Sequence, residues 1–189
     1  MGRSGSTMDI SFVDATIEAA FAGVARDEEC TLHQAQLSDQ TMDREIPETE
    51  WRKAKARDQA TDWRDVPDAD LDEYDAALSH ATPKCWRFYL PAYMRRAMRL
   101  LDASILETWF PGSVVSHLSY SSKSLKAYTL ERFEMLDTAQ QNAVKTFLEL
   151  VRDYPASRTS YRREADLALS KYWGLERKDR PAGPKIVLP

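Results

Sequence analysis

Nowhere in the 189 residues does an apolar run approach the roughly 20 residues a membrane-crossing helix needs, so no membrane partner is expected. The first residues, Met1-Gly2-Arg3-Ser4-Gly5-Ser6-Thr7, are polar and lack the apolar stretch of a secretory signal. Residues 1–7 are expected to form a flexible extension, and Met8 offers an alternative start. There are only two cysteines, Cys30 and Cys85, and they form neither a C-x-x-C pair nor a zinc spacing. That pattern reads as reduced thiols in a cytoplasmic protein. Glycine is scarce, with 6 in the chain, and no G-x-G-x-x-G, phosphate-binding loop or G-x-S-x-G elbow occurs. The histidines, His33, His80 and His117, lie in three separate segments without a metal-binding spacing. No cofactor, metal or catalytic residue is therefore expected. An excess of basic charge is also missing: 26 Lys and Arg stand against 30 Asp and Glu, for a net charge of -4. This balance argues against nucleic acid and suits a protein partner with a basic surface.

The material for one folded domain is present. A chain of this length buries roughly 70% of its unfolded surface without disulfides or metals. Hydrophobic residues make up 43% and aromatics 10%, too many for a disordered chain. Val13, Ile17, Ala20, Phe21 and Val24 recur at helical spacing and predict a helix from about Ser11 to Val24, with Gly23 near its end. Thr31-Leu32-His33-Gln34 reads as a capping box opening a short helix to about Ser38. Trp51 to Gln59 has helical composition, and Asp68 opens a short helix through Tyr74. Thr82-Pro83 is a helix start, but Pro91 should hold Leu90 extended. A short turn near 83–89 followed by a new helix from Pro91 to about Leu101 is therefore expected. Tyr93, Ala97, Met98 and Leu101 would face inward on it, with Arg95, Arg96 and Arg99 turned outward.

The stretch from Ser113 to Phe133, with a polar Ser121-Ser122-Lys123 in its middle, reads as a β-hairpin. Asp137 caps a helix to about Asp153 with Val144, Phe147, Leu148 and Val151 as its apolar stripe. A last helix runs from Ser160 to Gly174, burying Tyr161, Ala165, Ala168, Leu169 and Tyr172. The fold class expected is mainly α: one compact helical domain over 8–174 with a small β-hairpin, then an extended tail over 175–189. Phe88, Tyr89, Leu90 and Tyr93 are expected to pack against Val144, Phe147 and Leu148.

The densest charge is the acidic run Asp62, Asp65, Asp68, Asp70, Asp72, Glu73 and Asp75, interrupted by Arg64 alone. Asp68-x-Asp70-x-Asp72 imitates the opening of a calcium loop. The required glycine is replaced by Glu73 and the closing glutamate by Ser79, so calcium is not expected. The run is either a solvated face or a docking surface, and Asp65, Asp68, Asp70, Asp72, Glu73 and Asp75 are the candidate partner-binding residues. Arg95, Arg96 and Arg99, with Lys84 and Arg87, could form a basic patch beside Trp86 and Tyr93, but pairing with the acidic run is the simpler use of them.

Six blocks carry a resemblance: Ala20-Phe21-Ala22-Gly23-Val24; Thr31-Leu32-His33-Gln34-Ala35; Trp63-x-Asp65-Val66-Pro67; Ala77-Leu78-Ser79; Arg87-Phe88-Tyr89-Leu90-Pro91-Ala92-Tyr93-Met94; and Leu130-Glu131-Arg132-Phe133. Their order over roughly 12–174 resembles a bacterial family of small proteins of unknown function, which brings no assigned catalytic residues. Residues 104–126 match the pattern least. Small acidic bacterial proteins without catalytic motifs often serve as immunity proteins that neutralise a cognate toxin, so a non-catalytic protein-binding role of that kind is the expectation. Two alternatives stand beside it. One is an enzyme built on His33, His80 or a carboxylate pair. The other is a self-associating module using an exposed Trp109-Phe110 and Ile186-Val187-Leu188.

Overall fold

The first helix, α1 (Ile10–Ala20), is started by Asp9, whose Oδ1 accepts from the Ser11 N–H at 3.1 Å in a computed structural model that describes residues 9–41, 44–103, 108–120, 126–181 and 183. Val13 and Ile17 bury its inner face, and Gly23 leaves the helix at a φ of 73°, where a side chain would be strained. The capping box of Thr31 and Gln34 opens α2 (Leu32–Gln40); the Thr31 N–H donates to Gln34 Oε1 at 2.9 Å. Helix α3 (Glu48–Arg57) begins after Pro47, with acids in its first turn and bases in its last, as the helix dipole favours. A 3₁₀ turn (Trp63–Asp65), helix α4 (Asp68–Glu73) and a second 3₁₀ turn (Ala77–Ser79) lead to the longest helix, α5 (Pro83–Arg99).

Helix α5 is continuous, which corrects the expected break at Pro91. Pro91 lies inside it and removes one N–H that would have bonded the Arg87 carbonyl. The compensation is burial: Trp86, Phe88, Tyr89, Leu90, Tyr93 and Met94 are all buried, and Thr82 Oγ1 caps the start by accepting from Cys85 N–H at 3.2 Å. Apolar burial worth roughly 1.5–3 kcal/mol for each such side chain outweighs one missing bond.

The expected β-hairpin is also corrected, because its residues form helices. Helix α6 (Phe110–His117) and helix α7 (Lys126–Glu134) occupy the segment, and no strand occurs among the described residues. Phe110, Val114, Val115 and Leu118 are all buried. Their spacing of four, one and three is a helical stripe that local alternation around Val114 disguised. The proposed turn, Ser121-Ser122-Lys123, lies outside the described residues.

Helix α8 (Thr138–Asp153) has the predicted Asp137–Gln140 capping box, and Val144, Phe147, Leu148 and Val151 are buried along one stripe. Helix α9 (Thr159–Ala168) follows and ends in a wider π turn (Leu169–Trp173). Tyr161, Ala165, Ala168, Leu169 and Tyr172 are buried as expected, and Trp173 Nε1 donates to Leu118 O at 2.7 Å. Past Gly174, a 3₁₀ turn (Arg177–Asp179) is followed by Arg180, which donates to Gln141 Oε1 at 2.6 Å and lies over the Tyr172 ring. Residues 184–189, including Ile186-Val187-Leu188, lie outside the described residues.

The helices share one apolar core, in which α5 packs against α6, α1, α7 and α4, while α8 packs chiefly on α9 and α1. Phe88, Tyr89, Leu90 and Tyr93 are thus in the same core as Val144, Phe147 and Leu148, with α1 packed on both helices. One polar tie joins α5 to α8 directly: Arg87 Nε donates to Gln140 Oε1 at 2.9 Å. Among the described residues, no helix is long and apolar enough to cross a membrane.

Candidate functional site

The acidic run is divided by the fold into matched and unmatched charges. Arg64 forks onto Asp62, whose carboxyl is held down at about 2 by those hydrogen bonds. Arg96 reaches across from α5 to Asp72 at 2.6 Å and Asp68 at 3.1 Å, and Arg99 meets Asp68 at 2.5 Å. The arginines of α5 and the acids of α4 therefore serve each other, and Arg95 goes instead to Asp14 of α1 at 2.6 Å. Asp65, Asp70, Glu73 and Asp75 have no ion-pair partner among the described residues. Asp75 contributes through its backbone, accepting from Ser113 Oγ at 3.1 Å. Asp68, Asp70 and Asp72 sit within a helix, not a loop, and no group of three or more metal-ligating residues is gathered among the described residues.

A second centre lies beneath α2 and α3. Asp58, the residue that ends α3, points its carboxylate into the start of α2. Its Oδ2 accepts from the His33 backbone N–H at 3.1 Å and stands 2.9 Å from His33 Nδ1, with the two side chains only 4% and 6% exposed. Its Oδ1 accepts from the Tyr89 hydroxyl at 3.2 Å. Burial alone would raise the Asp58 carboxyl, but the hydrogen bonds and charge of His33, with Thr31, win and hold it below the usual range. Tyr89 moves the other way, pushed up by burial and by the Asp58 charge. The His33 ring meets Tyr74 edge-on at 4.9 Å and lines an open cleft of about 380 Å³ with Glu50, Lys53, Arg57 and Glu73. The Asp58–His33 contact is one of distance, since His33 Nδ1 makes no aligned hydrogen bond and the buried Thr31 hydroxyl also lacks one.

Cys30 and Cys85 are both buried and free, and the fold brings them together. A hydrogen bond from Cys85 lowers the Cys30 thiol, whereas burial pushes Cys85 well up. Nearby, Thr82 Oγ1 donates to Asp27 Oδ2 at 2.7 Å. His80 and His117 have partners other than Asp58. His80 Nε2 contacts Asp39 at 2.8 Å, while His117 Nε2 contacts Asp75 O at 3.0 Å and its Nδ1 contacts Ser79 Oγ at 3.2 Å. Burial holds His117 below the usual imidazole range, so the neutral ring donates from Nε2 to the Asp75 carbonyl and accepts from Ser79. Of the expected exposed pair Trp109-Phe110, only Trp109 is exposed, at 50%; Phe110 is buried and stacks on Tyr93 at 5.5 Å.

Sequence reasoning singled out His33 but missed Asp58, which stands 25 residues away and belongs to no motif. It also passed over Arg132, whose position between buried Leu130 and Phe133 was the available sign of a charge drawn into the core.

Compared with known proteins, residues 10–177 match the model of a protein family described as a family of unknown function (DUF6714). No curated protein and no solved structure matches the chain.

Proposed function

We propose, from the premise that the chain belongs to this DUF6714 family, that it is a non-catalytic cytoplasmic binding protein whose partner presents a basic surface, and in its most specific form an immunity protein against a bacterial toxin. The observation that supports this reading is the charge left over on α4 and the turn before it. Asp62, Asp68 and Asp72 are matched by arginines, but Asp65, Asp70 and Glu73 are not. Unmatched acids beside matched ones give a surface with net negative field held on ordered backbone. Such a surface speeds encounter with a basic partner and fixes its orientation. The arginine forks keep α4 in place, so Asp68 and Asp72 act as supports and the leftover acids as the contact.

The test separates support from contact. The triple variant Asp65→Asn, Asp70→Asn, Glu73→Gln is compared with wild type in affinity capture from the native host. The expected result is one stoichiometric partner on wild type, weakened at least about tenfold on the variant with the melting temperature unchanged. Equal retention of the partner by both would end the proposal.

The His33–Asp58 pair favours a second reading, an enzyme using His33 as a proton-transfer group in the adjoining cleft. Its residues do not overlap the first reading except at Glu73, which lines that cleft. His33→Gln that abolishes a demonstrated activity, with partner capture intact, would transfer the assignment to this reading.

A further inference from the structure

Arg132 of α7 is 5% exposed and has no ion-pair partner among the described residues. Its Nε donates to Ala81 O at 3.1 Å, and its Nη2 donates to Ser79 O at 2.8 Å, to Ala81 O at 2.5 Å and to the Tyr128 hydroxyl. Backbone dipoles and a phenol satisfy donors but do not neutralise the charge. Taking a cation out of water without a counter-charge costs several kcal/mol. Glu131, beside it on α7, acts on Arg132 through space but forms no ion pair with it.

Arg132 lines an open cleft of about 580 Å³ bounded by the Ser79–His80 turn, the end of α6 and the start of α7. The described residues on its walls include no Asp or Glu. They include the hydroxyls of Ser79, Ser116 and Ser119, which turn to His117, Ser113 O and Glu164, and the imidazoles of His80 and His117. Two acids near the walls are turned to protein partners, Asp39 to His80 and Glu164 to the Ser119 hydroxyl at 2.6 Å. The neighbouring rings of Tyr128 and Trp86 give the cleft flat apolar walls.

We propose that this cleft is a binding site for a small oxyanion, a phosphate or carboxylate group, with Arg132 as its counter-charge. The counter-charge that the protein does not pair with Arg132 is supplied by the ligand, and the exposed Ser116 hydroxyl, bonded only within its own helix turn, can rotate toward it. The site is separate from the α4 surface and does not depend on the partner reading.

Calorimetric titration of the full chain at constant ionic strength tests it, with inorganic phosphate in one arm and acetate in the other. Saturable binding of at least one anion with a dissociation constant on the order of 1 mM is expected, and the tighter of the two names the ligand group. Arg132→Gln should weaken that binding at least tenfold, and Arg132→Lys should retain part of it. Arg132 also holds the Ser79 and Ala81 carbonyls, so a second variant leaves it in place. Ser116→Glu, at an exposed position of the cleft wall on α6, brings a carboxylate into the cleft and should abolish binding with little change in melting temperature. No saturable binding of either anion to wild type would overturn the proposal, as would undiminished binding in the Ser116→Glu variant.

Discussion

Two ionisable groups are buried on opposite terms. At α2 and α3, the charge of Asp58 is met by His33, the Tyr89 hydroxyl and a backbone N–H. At α7, the charge of Arg132 is met by carbonyls and a phenol, and the centre lacks a counter-charge. Both side chains are almost fully withdrawn from water. The difference is therefore one of partner, and it teaches what each cleft can hold. The first contains both signs of charge on its walls, with Glu50 and Glu73 against Lys53 and Arg57. The second has no Asp or Glu among the described residues of its walls. A buried charge met by an opposite one is balanced within the protein, whereas one met by dipoles alone leaves a place for a counter-charge.

The largest effect comes from the core beneath both regions. Phe147 is fully buried in α8, so Phe147→Ala should cost about 3–5 kcal/mol in denaturant unfolding. A loss under about 1 kcal/mol would place Phe147 outside the core. Asp58→Ala comes next, at about 3 kcal/mol, because it leaves the Tyr89 hydroxyl and the His33 N–H without acceptors. Arg132→Met should cost less, about 1–2 kcal/mol, since it removes an unneutralised charge and orphans the Ala81 carbonyl, while Ser79 O keeps the Tyr128 hydroxyl. If Arg132→Met proved costlier than Asp58→Ala, the contrast between the centres would collapse.

Acid sharpens the same comparison. His117 is held below its ordinary value of 6.5, so the folded state binds fewer protons than the unfolded chain just below that pH. Its contribution is complete above 6.5 and is lost as pH falls toward the folded value. Asp58 is held below 3.8, so its contribution is intact above that value and is lost only as pH falls further, through the folded value. Stability measured against pH should therefore step down twice. His117→Gln should erase the upper step, and Asp58→Asn should shrink the lower one, to which Asp62 also contributes. The smallest effect belongs to the α4 surface: Asp65→Asn, Asp70→Asn and Glu73→Gln should each change stability by less than about 0.5 kcal/mol in thermal unfolding.

How far these features could be read in advance follows from the range of the forces involved. The caps of α2 and α8 and the stripe of α8 were legible because each is written within a few residues, as at Thr31–Gln34 and Asp137–Gln140. Pro91 was misread because its local preference is weaker than the burial of Phe88, Leu90 and Tyr93 around it. The hairpin was misread because Val114 and Val115 suit either geometry, and Phe110 and Leu118 decide only when counted with them. The acidic run was visible, but its division into matched and unmatched charges depends on Arg96 and Arg99, more than 20 residues on. Asp58 and Arg132 were hidden for the same reason: partners at separations of 25 and 51 residues leave no local trace.

The contrast between the two centres is tested most directly by following the side-chain resonances of His33, His117 and Arg132 in the wild-type protein while inorganic phosphate is added at fixed pH and ionic strength. Saturating shifts at His117 and Arg132 with His33 unmoved are predicted. Shifts at His33 in place of Arg132, or no saturating shift at any of the three, would contradict the account.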